Sequence, residues 1–156
     1  MKKYEILIET AQKLMEDEAR VGRLTKEGPG KRNRNVSYFI NKLSERSKII
    51  FKKDFSKKYI CGDQIHEVHF YFPDEGAIVN VSFALHRPNS ELEKGVLKAL
   101  MAKENKNDVK HVVFLAIPGA LTKCRRKEPQ AIIDWIREKH GIEISIVEMD
   151  NVAPIT

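Results

Sequence analysis

The chain has 156 residues, of which 42% are hydrophobic and 32% charged, and its formal net charge is +6. That length and balance bound it to one ordinary globular domain, residues 1–156, and exclude a disordered or fibrous chain. No apolar run approaches the roughly 20 residues of a membrane-spanning helix, and a pI near 9.3 favours anionic partners, nucleic acid first and no membrane.

The first segment, MKKYEILIETAQKL, is basic and then apolar. Glu5, Glu9 and Gln12 interrupt the apolar residues and no small-residue cleavage site follows, so it reads as an amphipathic helix and not a signal peptide. Cys61 and Cys124 lie far apart in no CxxC pair, which suits a reducing interior better than a disulfide scaffold. Both features make a cytoplasmic location the expectation. Tyr4, Leu7, Ile8, Ala11, Leu14 and Met15 recur at helical spacing and predict a helix from about Lys2 to Arg20, with Gly22 as its stop.

TKEGPGKRNRN, from Thr25 to Asn35, follows. Gly28, Pro29 and Gly30 break regular structure, so this reads as a mobile basic loop carrying Lys31, Arg32 and Arg34. It lacks the GxxxxGK[ST] spacing of a phosphate loop. Its readings are a phosphate-contacting arm or a solvated loop. A second helix is predicted from Ser37 to Ile50, with Tyr38, Phe39, Leu43 and Ile50 on its apolar face and Glu45 and Arg46 among its polar residues. A basic approach then leads to a short strand at Tyr59 to Cys61 and a turn at Gly62 and Asp63.

His66 to Phe72 alternates, with Val68, Phe70 and Phe72 on one face and Glu67, His69 and Tyr71 on the other. Pro73, Asp74, Glu75 and Gly76 form a turn. Ala77 to Leu85 alternates again, with Val79, Val81 and Phe83 set against Ile78, Asn80 and Ser82, which completes a hairpin. Ser90 and Glu93 fit a capping box for a helix whose apolar stripe is Leu92, Val96, Leu97, Leu100 and Met101. VKHVVFLAI, from Val109 to Ile117, is a nearly continuous apolar strand of the kind buried on both faces. LTKCRRKEP is a second basic loop with Arg125, Arg126 and Lys127. Pro129 fits the first turn of a helix ending at His140 and Gly141, with Trp135 read as core beside Ile132 and Ile136. Ile142 to Met149 is a last strand. The order α-α-β-β-β-α-β-α-β predicts an α/β fold, a mixed central sheet flanked by helices.

This layout, and the stretch EVHFYFPDEGAIVNVSF, resembles the restriction-endonuclease-like fold, the PD-(D/E)xK nuclease superfamily. The family stretch has the form x-V-D-x-Y-x-P-D-x-G-x-x-V-E-x-K. The resemblance places His69 at the metal-binding aspartate, Asn80 at the carboxylate of the triplet, Ser82 at its lysine and Glu45 at a helix glutamate. Each hairpin position departs from the pattern. The family's chemistry uses a hard cation held by carboxylates to polarise the phosphate and generate hydroxide, with lysine stabilising charge. Asparagine, histidine and serine are poor replacements. The expectation is a nucleic-acid-binding protein, DNA first, with a nuclease-like fold and an inactive site. No catalytic residue, metal ion or cofactor is assigned. The alternatives are an active metal-dependent DNA endonuclease with a rearranged site, for which Mg²⁺ would be the cofactor, and a non-enzymatic protein-interaction module. Nuclease folds of this size commonly dimerise, which leaves a homodimer open.

Other candidates read as ordinary structure first: Asp74 and Glu75 as a hairpin turn, Glu67 as an exposed strand residue, and Cys124, between Lys123 and Arg125, as an incidental loop thiol. A transition-metal pair of His69 and His86 has no diagnostic spacing.

Overall fold

A computed structural model describes residues 1–20, 31–85 and 88–150, apart from the side chains of 31–35 and 88–89. Within them the helices are α1 (Lys3–Arg20), α2 (Lys31–Phe51), α3 (Pro88–Glu104), α4 (Ala120–Cys124) and α5 (Lys127–His140). The strands are β1 (Ser56–Lys58), β2 (Val68–Phe72), β3 (Ala77–Val81), β4 (His111–Ala116) and β5 (Glu143–Glu148). They form one five-stranded sheet in the order β1-β2-β3-β4-β5. β1, β2 and β3 pair antiparallel, and β3, β4 and β5 pair parallel. The fold is α/β, with a mixed sheet between two helical layers.

The strand period of two explains both layers. In β4, Val113 and Leu115 join the core under α1 and α2, while Val112, Phe114 and Ala116 join the core under α3 and α5. β3 divides likewise: Ala77, Val79 and Val81 face α1 and α2, and Ile78 faces α3. Phe39, Phe70, Phe72 and Phe114 are almost wholly buried, each worth about 1.5–3 kcal/mol relative to exposure. The edge strand β1 is only three residues long and carries Lys57 and Lys58, which discourages pairing with another chain. No helix among the described residues is long and apolar enough to cross a membrane.

The hairpin turn anchors α1. Glu75 accepts the Lys3 N–H at 2.7 Å and the Tyr4 N–H at 3.1 Å, and Asp74 pairs with Lys3 at 3.5 Å. A carboxylate there satisfies two N–H groups that a helix start leaves without intrahelical partners. α1 therefore begins at the turn and ends at the opposite edge of the sheet, where the parallel strands have their carboxyl ends. α2 runs back, and Phe51 near its end packs on Phe55 and Phe72.

Several sequence expectations change. α2 starts at Lys31, not Ser37, so Lys31, Arg32 and Arg34 stand in a helix and not a loop; their side chains lie outside the described residues. The first strand is Ser56–Lys58, because Phe55 is buried beside it while Tyr59 is 50% exposed. β3 ends at Val81, and the Leu85 N–H turns back to the Ser82 carbonyl at 3.2 Å. The second basic loop holds α4 and the start of α5. Val68 packs with the α3 layer and not with Phe70 and Phe72, because the hairpin register stops at Phe70–Val79. Leu97 and Trp135 are exposed, and Trp135 stacks edge-on against His140. Ala99 and Ala102 take the place predicted for Leu97 in the α3 stripe.

Small residues suffice there because α3 lies close on the sheet. A Cβ at Gly95 would stand 2.4 Å from Phe114 Cζ. Gly95→Ala is expected to force α3 or Phe114 to move and to lower stability by about 1–3 kcal/mol, read as a lower denaturation midpoint. A midpoint at or above that of the unaltered protein would show that α3 does not depend on this close approach.

Candidate functional site

α3 carries Glu91, Lys94, Gly95 and Lys98 at helical spacing, so they share one face. That face meets the carboxyl end of the hairpin. A cleft of about 190 Å³ lies between them, lined by these four residues with His69, Asn80, Ser82, Phe83 and Phe114 among others, and by Val36 of α2. The structure thus brings together His69, Asn80 and Ser82, the three hairpin positions singled out in the sequence. It adds Glu91, Lys94 and Lys98, which sequence reasoning passed over. The available signal was a glycine inside a helix between two lysines of one face.

The sheet is covered on both sides, so these polar residues are not on a solvated strand face. Asn80 is 7% exposed and Ser82 6%. Beyond Phe70–Val79, side chains take over from the backbone ladder. The His69 N–H donates to Asn80 Oδ1 at 3.3 Å, and the Val81 N–H donates to His69 Nδ1 at 2.9 Å. Buried polar groups need such partners, and these two bonds also fix orientation. With Nδ1 accepting, the neutral ring carries its proton on Nε2. With Oδ1 accepting, Asn80 has its NH₂ left to give.

Lys98 Nζ donates to the Glu67 carbonyl at 3.0 Å. Burial, then Lys98 and Lys94, pushes the His69 pKa down to about 4. Burial, then Lys94, also lowers the pKa of Lys98, while Cys61, Glu67 and Glu91 act in the opposite sense. The lining therefore supplies two amines, one carboxylate, a neutral imidazole, an amide and a hydroxyl.

This donor set does not fit Mg²⁺. That ion needs near-octahedral oxygen ligands, whereas the lining offers the Glu91 carboxylate beside two lysines, and Asn80 Oδ1 is already engaged. Among the described residues, no three His, Cys, Asp or Glu side chains converge as a metal-binding group. His86 lies outside the described residues.

The other candidates separate. Glu45 is exposed on α2, pairs with Lys42 at 3.6 Å and does not line the cleft. Glu45 therefore stands apart from the cleft, on a helix face turned to solvent. Glu67 contributes its backbone carbonyl to Lys98, and Glu75 and Asp74 are committed to α1. Cys124 is buried, and burial pushes its pKa up, against the activation its basic neighbours suggest. Arg125, Arg126 and Lys127 are exposed and make no ion pair among the described residues. They begin α5 at the edge where β3, β4 and β5 end, the same edge as the cleft. Ligands of α/β sheets gather outside the carboxyl ends of their strands.

No family model, curated protein or solved structure matches the chain.

The His69 environment predicts a pH dependence. Its folded pKa, about 4, lies below the ordinary 6.5. Above the ordinary value the ring is neutral in both states and nothing is lost. As pH falls from about 6.5 to about 4 the unfolded chain takes up the proton first, so stability declines across that window, by an amount on the order of 3 kcal/mol. Denaturation midpoints measured against pH are expected to fall through this range in the unaltered protein and to fall less in His69→Gln. Equal slopes in the two proteins would remove His69 as the cause.

Proposed function

We propose that this chain binds nucleic acid, DNA first, through the carboxyl edge of its parallel strands, as a nuclease-like domain whose cleavage site has lost its chemistry. The observation that supports this reading is the composition of the cleft: two lysines and several hydrogen-bond donors, with one carboxylate, Glu91, line it together with the hairpin positions that the resemblance assigns to a metal site. The neighbouring Arg125, Arg126 and Lys127, without ion pairs among the described residues, support it by offering charge for phosphates on the same edge. Three helices, α2, α3 and α5, also begin at that edge and direct their positive ends toward it. The reading includes a cytoplasmic location.

Its test is binding to labelled duplex DNA by fluorescence anisotropy between about 50 and 200 mM salt. Affinity is expected to fall steeply with salt. Replacing Arg125, Arg126 and Lys127 with alanine is expected to weaken binding on all sequences alike. The log–log salt slope should flatten by about 0.9 for each phosphate that the protein no longer neutralises. The same experiment on Lys31, Arg32 and Arg34 tests the start of α2. With Mg²⁺ or Mn²⁺ the protein is expected to leave plasmid and single-stranded DNA uncut. Cleavage abolished by His69→Ala or Asn80→Ala would replace this reading with the active nuclease, and absence of salt-dependent DNA binding would replace it with the protein-interaction module.

A further inference from the structure

We infer that the cleft at His69, Asn80 and Ser82 is a pocket for one phosphate monoester, and that its ligand is the terminal phosphate of a nucleic-acid strand. The choice of ligand rests on the nucleic-acid reading above; the phosphate chemistry stands on the cleft itself.

The lining is oriented to donate. Val81 N–H holds His69 Nδ1 and the His69 N–H holds Asn80 Oδ1, so the ring and the amide each have a donor left over. Lys98 spends one of its three protons on the Glu67 carbonyl. The Ser82 hydroxyl, in a residue 6% exposed, has no hydrogen-bond partner among the described residues. Asn80 Oδ1 and His69 Nδ1 are thus engaged by the backbone, which leaves the donors of these two side chains and the Ser82 hydroxyl for a ligand in the cavity that the three residues line. A phosphate monoester is the complementary group, with three strong acceptor oxygens and a charge of about −1.5 to −2 at neutral pH. Lys94 and Lys98 match that charge. Glu91 offsets one of them and favours the charged form of Lys98.

Size and shape favour an end over a continuous strand. At about 190 Å³ the cleft is smaller than the roughly 300–1,000 Å³ of small-molecule sites, so it suits a single oxyanion group rather than a whole nucleotide. Its floor, Asn80 and Ser82, is more than nine-tenths buried beneath a helix that Gly95 allows close to the sheet. An internal phosphodiester has a nucleoside on each side and would have to thread beneath α3 to reach that depth. A terminal phosphate reaches it from one side. The charge-assisted bonds formed there are the strong kind, and burial excludes the water that would compete with them.

The experiment compares single-stranded oligonucleotides of one sequence ending in 5′-phosphate, 3′-phosphate or hydroxyls only, using the full chain at fixed salt. Inorganic phosphate is titrated separately, with the ¹⁵N shifts of the His69 ring as readout. One phosphorylated end is expected to bind about tenfold tighter or more than the hydroxyl-ended strand. Inorganic phosphate is expected to shift the His69 Nε2 resonance and to compete away that preference. Asn80→Asp places a carboxylate at the floor and is expected to erase the difference between phosphorylated and hydroxyl ends. Ser82→Ala, a milder change, is expected to reduce it. Circular dichroism confirms that each variant is folded, and the phosphate titration of the unaltered protein needs no variant. Equal affinity for all three ends together with an unmoved His69 overturns the pocket; salt-dependent binding of every strand in that case preserves the nucleic-acid reading. A His69 response to inorganic phosphate without binding of any strand keeps the phosphate pocket and overturns the nucleic-acid ligand. A terminal-phosphate preference that survives in folded Asn80→Asp assigns the preference to another part of the surface and overturns this location.

Discussion

The close approach of α3 to the sheet at Gly95 is the constraint on which the candidate site depends. A side chain there would collide with Phe114, which is itself buried. Glycine in a helix interior costs about 1 kcal/mol relative to alanine, and burying a phenylalanine is worth more than that. The close approach fixes the height of the helix, and helical geometry then fixes the rest. Lys94 and Lys98 flank Gly95 at offsets of one and three residues, and Glu91 lies one turn earlier. Lowered onto the sheet, this face closes over the carboxyl end of the hairpin. Further along, Ala99 and Ala102 keep the same close spacing.

That closure takes polar hairpin residues out of water, and burial sets their chemistry. A buried amide or imidazole without a partner costs a few kcal/mol. Here the partners come from the hairpin backbone, where the ladder gives way after Phe70–Val79. The same bonds that satisfy the groups decide which of their atoms remain for a ligand. Burial and the two lysines keep His69 neutral. A ring fixed with Nδ1 accepting is a neutral donor, not a titrating base. The residue types that weaken the likeness to a metal-dependent nuclease therefore form a coherent set of their own.

How much of this was legible in the sequence follows from where periodicity speaks. β4 announces itself as a continuous apolar run, and the hairpin by alternation about Pro73 to Gly76. α1 shows a full apolar stripe. These signals record burial, and burial built them. β1 has three residues, too few to establish a period, and its neighbour Phe55 gave no separate signal. The first turn of α2 consists of Lys, Arg and Asn directly after Gly-Pro-Gly, so composition argued for a loop. His69, Asn80 and Ser82 were singled out by the resemblance of their hairpin to the nuclease stretch and not by periodicity. Lys94 and Lys98 were missed because lysines on a helix ordinarily mark its solvated side. Only the tertiary position of α3 brings the half-buried Lys98 and the exposed Lys94 to the mouth of the cleft. Trp135 and Leu97 erred in the other direction, as large apolar residues that the packed helices leave outside.

The two edges of the sheet differ in how they treat charge. At the hairpin-turn edge two lysines have acidic partners, Lys3 with Asp74, and Lys110 with Asp108 at 3.3 Å, while Glu75 accepts N–H groups at the start of α1. At the carboxyl edge, Arg125, Arg126 and Lys127 go without ion pairs among the described residues, and Lys94 and Lys98 stand together over buried donors. One acidic group there, Glu148, is already engaged by the Gly119 and Leu121 N–H groups at 2.8 and 3.0 Å. Burial first, and then the neighbouring Lys94, lowers the pKa of Lys98. A fold holds such an arrangement at a cost in stability, and an anion that enters it relieves that cost. The place where Lys94 and Lys98 stand together is also one with hydrogen-bond donors and a cavity. Electrostatics and geometry thus converge on the same few residues, Lys94 and Lys98 above, His69, Asn80 and Ser82 below.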